Sequence, residues 1–91
     1  MRLLDFNLST ADLRPHLQLY WEQPEKNQAV IDLLVHERQL WLVTGQGQPL
    51  TLDQFQTRVR ALPGTASMFI QQTPPVPLFG YRLVEQQLLL G

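Results

Sequence analysis

The chain has 91 residues, of which 44% are hydrophobic and 16% are charged, a composition typical of a folded globular domain. Its formal net charge is −1, so it lacks the positive field that holds nucleic acid, and we expect no nucleic-acid partner. The absence of cysteine excludes a disulfide framework.

No apolar run approaches the roughly 20 residues that a membrane span requires. The first residues also lack the basic start and the long apolar segment of a signal peptide. We therefore expect residues 1–91 to form one cytoplasmic domain that does not insert directly into a membrane.

The first two elements differ in how clearly the sequence predicts them. Residues 2–8 alternate apolar and polar side chains, which predicts a β-strand. Residues 13–22 fit both a helix and a strand, since their apolar side chains satisfy either spacing. Pro15 favours the helix, because with Asp12 as N-cap it falls within the first turn, where a missing amide costs nothing.

Residues 29–35 and 40–44 read as an antiparallel pair of strands joined through residues 36–39. Their apolar residues are consecutive, as in Leu33–Val35 and Leu40–Val43. Successive side chains of a strand point to opposite faces, so the sequence predicts that both faces of this pair need shielding.

Residues 52–62 carry the clearest helix signals in the chain. Thr51 is a good N-cap and Gln54 completes a capping box, while Pro63 and Gly64 end the pattern. We expect Phe55 to lie in the buried stripe of this helix.

The last third of the chain is less determined. Residues 67–71 predict a strand, and residues 73–77 a stiff proline-rich link. Residues 81–91 fit one long strand, a hairpin that turns at residues 85–87, or a short helix. The predicted fold is α+β, with a mainly antiparallel sheet of four or five strands, a helix at 52–62 and a second helix at 13–22.

The residues show no pattern of catalysis. His16 and His36 have no second ligand at metal-binding spacing, and the GQG at residues 45–47 is not followed by the rest of a phosphate-binding loop. We expect neither an enzyme nor a cofactor. Asp32 is unusual as a carboxylate in an apolar run. It indicates an edge or outward-facing position, and the alternative is an ion pair with Arg38, with Arg82 or with an arginine of a partner.

The helix at 52–62 can cover only part of one sheet face, whereas the strands need cover on two. This mismatch predicts a non-enzymatic interaction module, an accessory or adaptor subunit that binds another protein or a second copy of itself. One tryptophan should belong to the core, and the other would mark the contact. The predicted partner-binding residues are Trp41, Arg38, Asp32, Tyr81, Arg82 and Leu89.

The composition of the chain carries one resemblance to known proteins. In size, lack of cysteine and richness in glutamine and leucine, the chain is similar to small peripheral subunits of photosynthetic or respiratory NADH-dehydrogenase-like complexes. That resemblance implies a role as a peripheral subunit of such a complex.

The alternative function is a small-ligand-binding domain or minor enzyme with a pocket between the sheet and the helix at 52–62. Its candidate residues are Arg58, Arg60, His36 and Tyr81.

Overall fold

A computed structural model describes all residues, 1–91. It contains two helices and one seven-stranded sheet. The helices are α1 (Leu3–Thr10) and α2 (Leu52–Arg58), and the strands are β1 (Gln18–Trp21), β2 (Gln28–His36), β3 (Gln39–Gly45), β4 (Ser67–Ile70), β5 (Val76–Pro77), β6 (Tyr81–Val84) and β7 (Gln87–Leu90).

The α+β class is confirmed, but the predicted sheet was wrong in strand number and type. The strand order is β5-β4-β3-β2-β1-β7-β6, and the pairs β1–β7 and β3–β4 are parallel, so the sheet is mixed. Residues 78–80 join its two ends, because Leu78 N–H donates to Met68 C=O while Phe79 N–H donates to Gly91 C=O. The sheet therefore curls around the core.

The predicted strand at residues 2–8 is wrong, because these residues form α1. Leu3, Phe6 and Thr10 are buried, which is helical spacing, whereas Leu8 is 69% exposed. The first amides of α1 are satisfied by tertiary contacts: Leu3 N–H donates to Ala66 C=O and Leu4 N–H to Gly64 C=O. These carbonyls come from a loop more than fifty residues away, so no local signal predicts this helix.

The predicted helix at residues 13–22 is also wrong, since Gln18–Trp21 form β1. Leu19 of β1 and Leu17 just before it are fully buried, which fits the alternation of the strand alternative. β1 pairs with the neighbouring β2 on one side and with β7 on the other, so residues near the end of the chain hold much of its backbone. Tertiary pairing thus overrides the local preference that Pro15 indicated.

Helix α2 begins as predicted. Thr51 Oγ1 accepts a hydrogen bond from Gln54 N–H at 3.2 Å, and the Gln54 side chain accepts one from Thr51 N–H at 3.0 Å. This is the predicted capping box. The helix ends at Arg58 rather than at residue 62, because Val59 leaves helical geometry at φ −94° and ψ 4°.

The predicted β2–β3 hairpin is present, with a shorter turn than expected. His36 pairs with Gln39, so the loop contains only Glu37 and Arg38, and Glu37 has a φ of 56°. The end of the chain adopts the hairpin alternative, as β6 and β7 join through Glu85, whose φ is 52°. The proline-rich link also contributes the short edge strand β5, in which Pro77 pairs with Phe69.

The core lies inside the curled sheet, where both helices pack. Phe6 of α1 stacks edge-to-face on Phe55 of α2, with ring centroids 5.0 Å apart, and on Tyr81 of β6 at 5.7 Å. Leu88 and Leu90 of β7 are almost fully buried in the same cluster. The C-terminal leucines are thus covered by their own chain.

Replacing Phe55 by alanine should destabilise the fold by about 3–5 kcal/mol, because it removes a fully buried ring that contacts Phe6. The measurement is the free energy of unfolding in urea. Phe79→Ala is the matched control: that ring is 79% exposed, so the change should be within about 0.5 kcal/mol. Equal losses in the two variants would contradict this packing.

Replacing Thr51 by alanine should cost about 1 kcal/mol, because it removes the oxygen that caps α2. Thr57→Ala is the control, since Thr57 is exposed within the same helix and caps nothing. Thermal and urea unfolding compare the two. If both variants are as stable as the parent, the capping box does not hold the helix start.

Candidate functional site

The sheet formed by β2 to β5 presents two different faces. Leu40, Leu42, Met68 and Ile70 point inward and are buried in the core. The alternate residues therefore point outward. The register pairs Leu34 with Trp41, Trp41 with Phe69, and Phe69 with Pro77. We call these four residues, Leu34, Trp41, Phe69 and Pro77, the outer-face row.

The outer-face row is a continuous apolar surface across four strands, because laterally paired side chains stand on the same face of a sheet. Leu34 is 44% exposed, Pro77 is exposed, and Trp41 and Phe69 are partly exposed. Both helices place their buried side chains in the inner core instead. No helix of the chain is left to cover this face.

Trp41 is held in place by its neighbours on the same face. Its indole Nε1–H donates to Gln39 Oε1 at 2.8 Å, and the His36 ring lies with its centroid 5.3 Å from that of Trp41. The polar atom of the indole is therefore already satisfied within the chain. A partner could cover the ring without leaving a buried donor unpaired.

The row ends at an open strand edge. β1 pairs with β2 only at Gln28 and Ala29, and the next contact on that side is Leu50 N–H donating to Val30 C=O. Beyond this point β2 has a strand partner only in β3. We call residues 32–36 of β2 the open edge.

Asp32 lies on this open edge, and its predicted partners were wrong. It pairs with Arg58 of α2, at 2.9 Å between Oδ1 and Nη1, and not with Arg38 or Arg82. The same oxygen accepts a hydrogen bond from Leu33 N–H at 2.8 Å. The Leu33 amide and then the Arg58 guanidinium lower the pKa of Asp32 below its ordinary value of 3.8.

A groove of about 320 Å³ lies between the open edge and the end of α2. It is mostly apolar, with Asp32 and Arg58 at its polar side. Of the four residues proposed for ligand binding, only Arg58 lines it, and its guanidinium is paired with Asp32. Arg60, His36 and Tyr81 do not line this groove.

The remaining predicted partner-binding residues separate into two groups. Arg38 is exposed in the β2–β3 turn, on the hairpin that also carries Trp41 and Asp32. Tyr81, Arg82 and Leu89 lie on the β6–β7 hairpin, which β1 separates from β2. The six residues therefore do not form one site.

On the β6–β7 hairpin these residues make internal contacts. The Tyr81 hydroxyl donates to Ser9 C=O at 3.1 Å, and Leu89 is only 4% exposed. Arg82 donates to both carboxylate oxygens of Glu22, which lowers the pKa of Glu22 and raises that of Arg82. Of the apolar residues of this hairpin, Leu88, Leu89 and Leu90 are buried, whereas Leu83 is 49% exposed and Val84 is 36% exposed.

Sequence reasoning did not place Phe69 and Pro77 on this surface. Alternation with the buried Met68 and Ile70 could have directed Phe69 outward. Its alignment with Trp41 depends on the parallel pairing of β3 with β4, which the sequence does not show.

Other kinds of site have little support in the geometry. No three His, Cys, Asp or Glu side chains converge as metal ligands. No helix has the length and apolarity needed to cross a membrane. Comparisons with protein-family models, with curated proteins and with solved structures show no match to this chain.

Replacing Asp32 by asparagine should remove a pH-dependent part of the stability. Because its pKa is lowered in the folded state, the charged carboxylate stabilises the fold above pH 3.8, and this gain is lost as the pH falls through the lower folded-state value. The difference in unfolding free energy between parent and Asp32→Asn should thus be present at neutral pH and shrink in acid. Urea melts across this range measure it, with Asp12→Asn as the surface-carboxylate control. A difference that is constant down to the acid limit would contradict the assignment.

Proposed function

We propose that this protein is a non-enzymatic interaction module, an accessory or adaptor subunit that docks on a larger protein complex through the outer-face row. The observation that carries the proposal is the register of Leu34, Trp41, Phe69 and Pro77, which collects two aromatic rings and two other apolar side chains on a face without a covering helix.

The chemistry of this face suits a protein partner. Tryptophan and other aromatic residues supply most of the binding energy in many interfaces, where a ring of polar residues surrounds a central apolar patch. Here His36 and Gln39 contact Trp41, and Arg38 is exposed in the same turn, so the three can form such a rim. Arg38 is exposed and favours an acidic group on the partner.

The groove beside Arg58 supports the ligand-binding alternative less well. Most of its lining is apolar, and its two charged groups neutralise each other as an ion pair. No second catalytic or substrate-orienting group from the proposed set lines it. The outer-face row is therefore the better candidate for function.

The partner complex is a separate part of the proposal. Small size, absence of cysteine and the glutamine- and leucine-rich composition resemble peripheral subunits of NADH-dehydrogenase-like complexes. Such complexes are the first partners to test, and the docking chemistry applies to any large complex with a matching apolar patch.

Replacing Trp41 by serine should weaken assembly far more than folding. Loss of a central interface tryptophan typically costs about 2 kcal/mol or more of binding free energy, about a 30-fold loss of affinity. The measurement is quantitative recovery of identified co-purifying subunits from lysate of the native source, beside urea unfolding of each purified variant.

Trp21→Ser is the matched control, since Trp21 packs against the core and its loss should reduce stability. Equal recovery of partners by the parent and by Trp41→Ser would contradict the proposed surface. A parent that recovers no partner and binds no hydrophobic dye would contradict the proposed function itself.

A further inference from the structure

The open edge carries main-chain groups that have no partner strand. In an antiparallel pair, every second residue directs its N–H and C=O away from the neighbouring strand. The Leu33 N–H donates to the Asp32 carboxylate and not to β3, so the main-chain groups of Leu33 point away from β3, toward the open edge. Two residues along the strand, the main-chain groups of Val35 point the same way. Apart from the sheet ladder, the backbone of Val35 bonds no other element.

Side chains along this edge are unusually apolar for an exposed strand. Val35 is 58% exposed and Leu34 is 44% exposed. Natural edge strands usually carry charges or bulges that prevent pairing with another chain. In β2 a bulge lies between Val30 and Asp32, and the Asp32 carboxylate caps the Leu33 amide, but the stretch from Leu33 to Val35 is regular and has no charged side chain.

The sequence of the open edge is complementary to itself when read in the opposite direction. If Leu34 faces Leu34 of a second copy, Leu33 faces Val35 and Asp32 faces His36. Apolar residues then meet apolar residues, and each carboxylate meets an imidazole. Moving the centre to Leu33 places Leu34 opposite Asp32, and moving it to Val35 places Leu34 opposite His36. Only the Leu34-centred register pairs Leu34 with Leu34, Leu33 with Val35 and Asp32 with His36, so that no apolar side chain faces a polar one.

We propose that two copies of this chain pair antiparallel through their open edges, about a two-fold axis at Leu34. Leu33 N–H of each copy donates to Val35 C=O of the other, and Val35 N–H donates to Leu33 C=O. The Asp32 carboxylate releases the Leu33 amide and faces His36 of the second copy. This joins the two sheets into one.

The dimer also extends the outer-face row. It goes beyond the proposed function because it concerns the open edge of β2 and not the outer face of the sheet. Leu34 is both the edge residue and the end of the outer-face row. Across the axis the two rows meet end to end and form one apolar strip. A second copy is favoured over an unrelated strand because the acid–imidazole match is supplied twice by the same sequence.

Single cysteines test the register directly, since the chain contains no other cysteine. Under mild oxidation, purified Leu34→Cys should form a disulfide-linked dimer at least about tenfold faster than Leu33→Cys or Val35→Cys. The reason is that the two copies of residue 34 face each other at a non-hydrogen-bonded position, where the Cα atoms lie about 4.5 Å apart, within the range of a disulfide. Leu83→Cys, on exposed β6, measures random collision. Fastest linkage of Leu33→Cys or Val35→Cys would overturn the Leu34 axis.

Sedimentation equilibrium tests the dimer without cross-linking. The parent should dimerise reversibly with concentration, and Val35→Pro should be monomeric because it removes an outward amide that edge strands can lose without unfolding. Val35→Thr keeps that amide and should still dimerise. If Val35→Pro does not fold, Val35→Lys blocks the same edge by charge.

A parent that stays monomeric, with Leu34→Cys no faster than Leu83→Cys, would overturn the dimer. If Trp41→Ser still loses its partner in that case, the docking function stands and only the edge pairing fails. Cross-linking of Leu34→Cys to a different protein in the native complex, and not to itself, would show that a foreign strand occupies the edge.

Discussion

The structure depends on the enclosure of Phe6 between the two helices and the curled sheet. Its ring contacts Phe55 of α2 and Tyr81 of β6, so one side chain joins elements from the beginning, middle and end of the chain. The helix that carries Phe6 is held by carbonyls of Ala66 and Gly64. Closure of the sheet through residues 78–80 then completes the wall around this ring. A small domain buries a smaller fraction of its surface than a large one, so a contact that joins three elements contributes a large share of its stability.

The same enclosure determines which surface stays open. Because α1 and α2 are both committed to the inner face, the outer face of β2 to β5 has no helix of its own. The apolar side chains that alternate with the core residues remain partly exposed there, and the register aligns them. The proposed docking surface is thus a consequence of how the core is built.

The chain's own helices and C-terminal segment bury only part of the apolar surface of its strands. Leu88, Leu89 and Leu90 are buried, and the unpredicted helix α1 supplies cover that the sequence analysis did not count. Exposed apolar side chains remain in several places, on the open edge at Leu34 and Val35, on β6 at Leu83 and Val84, and at Leu4, Leu8 and Phe79. The interaction proposal rests on the outer face of β2 to β5 because only there does the register align Leu34, Trp41, Phe69 and Pro77 in one row.

Local signals in the sequence determined the start of α2, where Thr51 and Gln54 lie within one turn, and the β2–β3 hairpin, whose strands are adjacent in the chain. Trp41 as a contact residue stays a prediction, and the structure shows only that its ring is partly exposed. The tertiary structure alone decided the helical state of residues 3–10, the strand state of residues 18–21 and the alignment of Phe69 beside Trp41. Each of these depends on hydrogen bonds or packing between residues far apart in sequence, as in the parallel pairs β1–β7 and β3–β4. The pattern of apolar residues within a segment does not show which distant segment it pairs with, so the sequence alone could not predict these features.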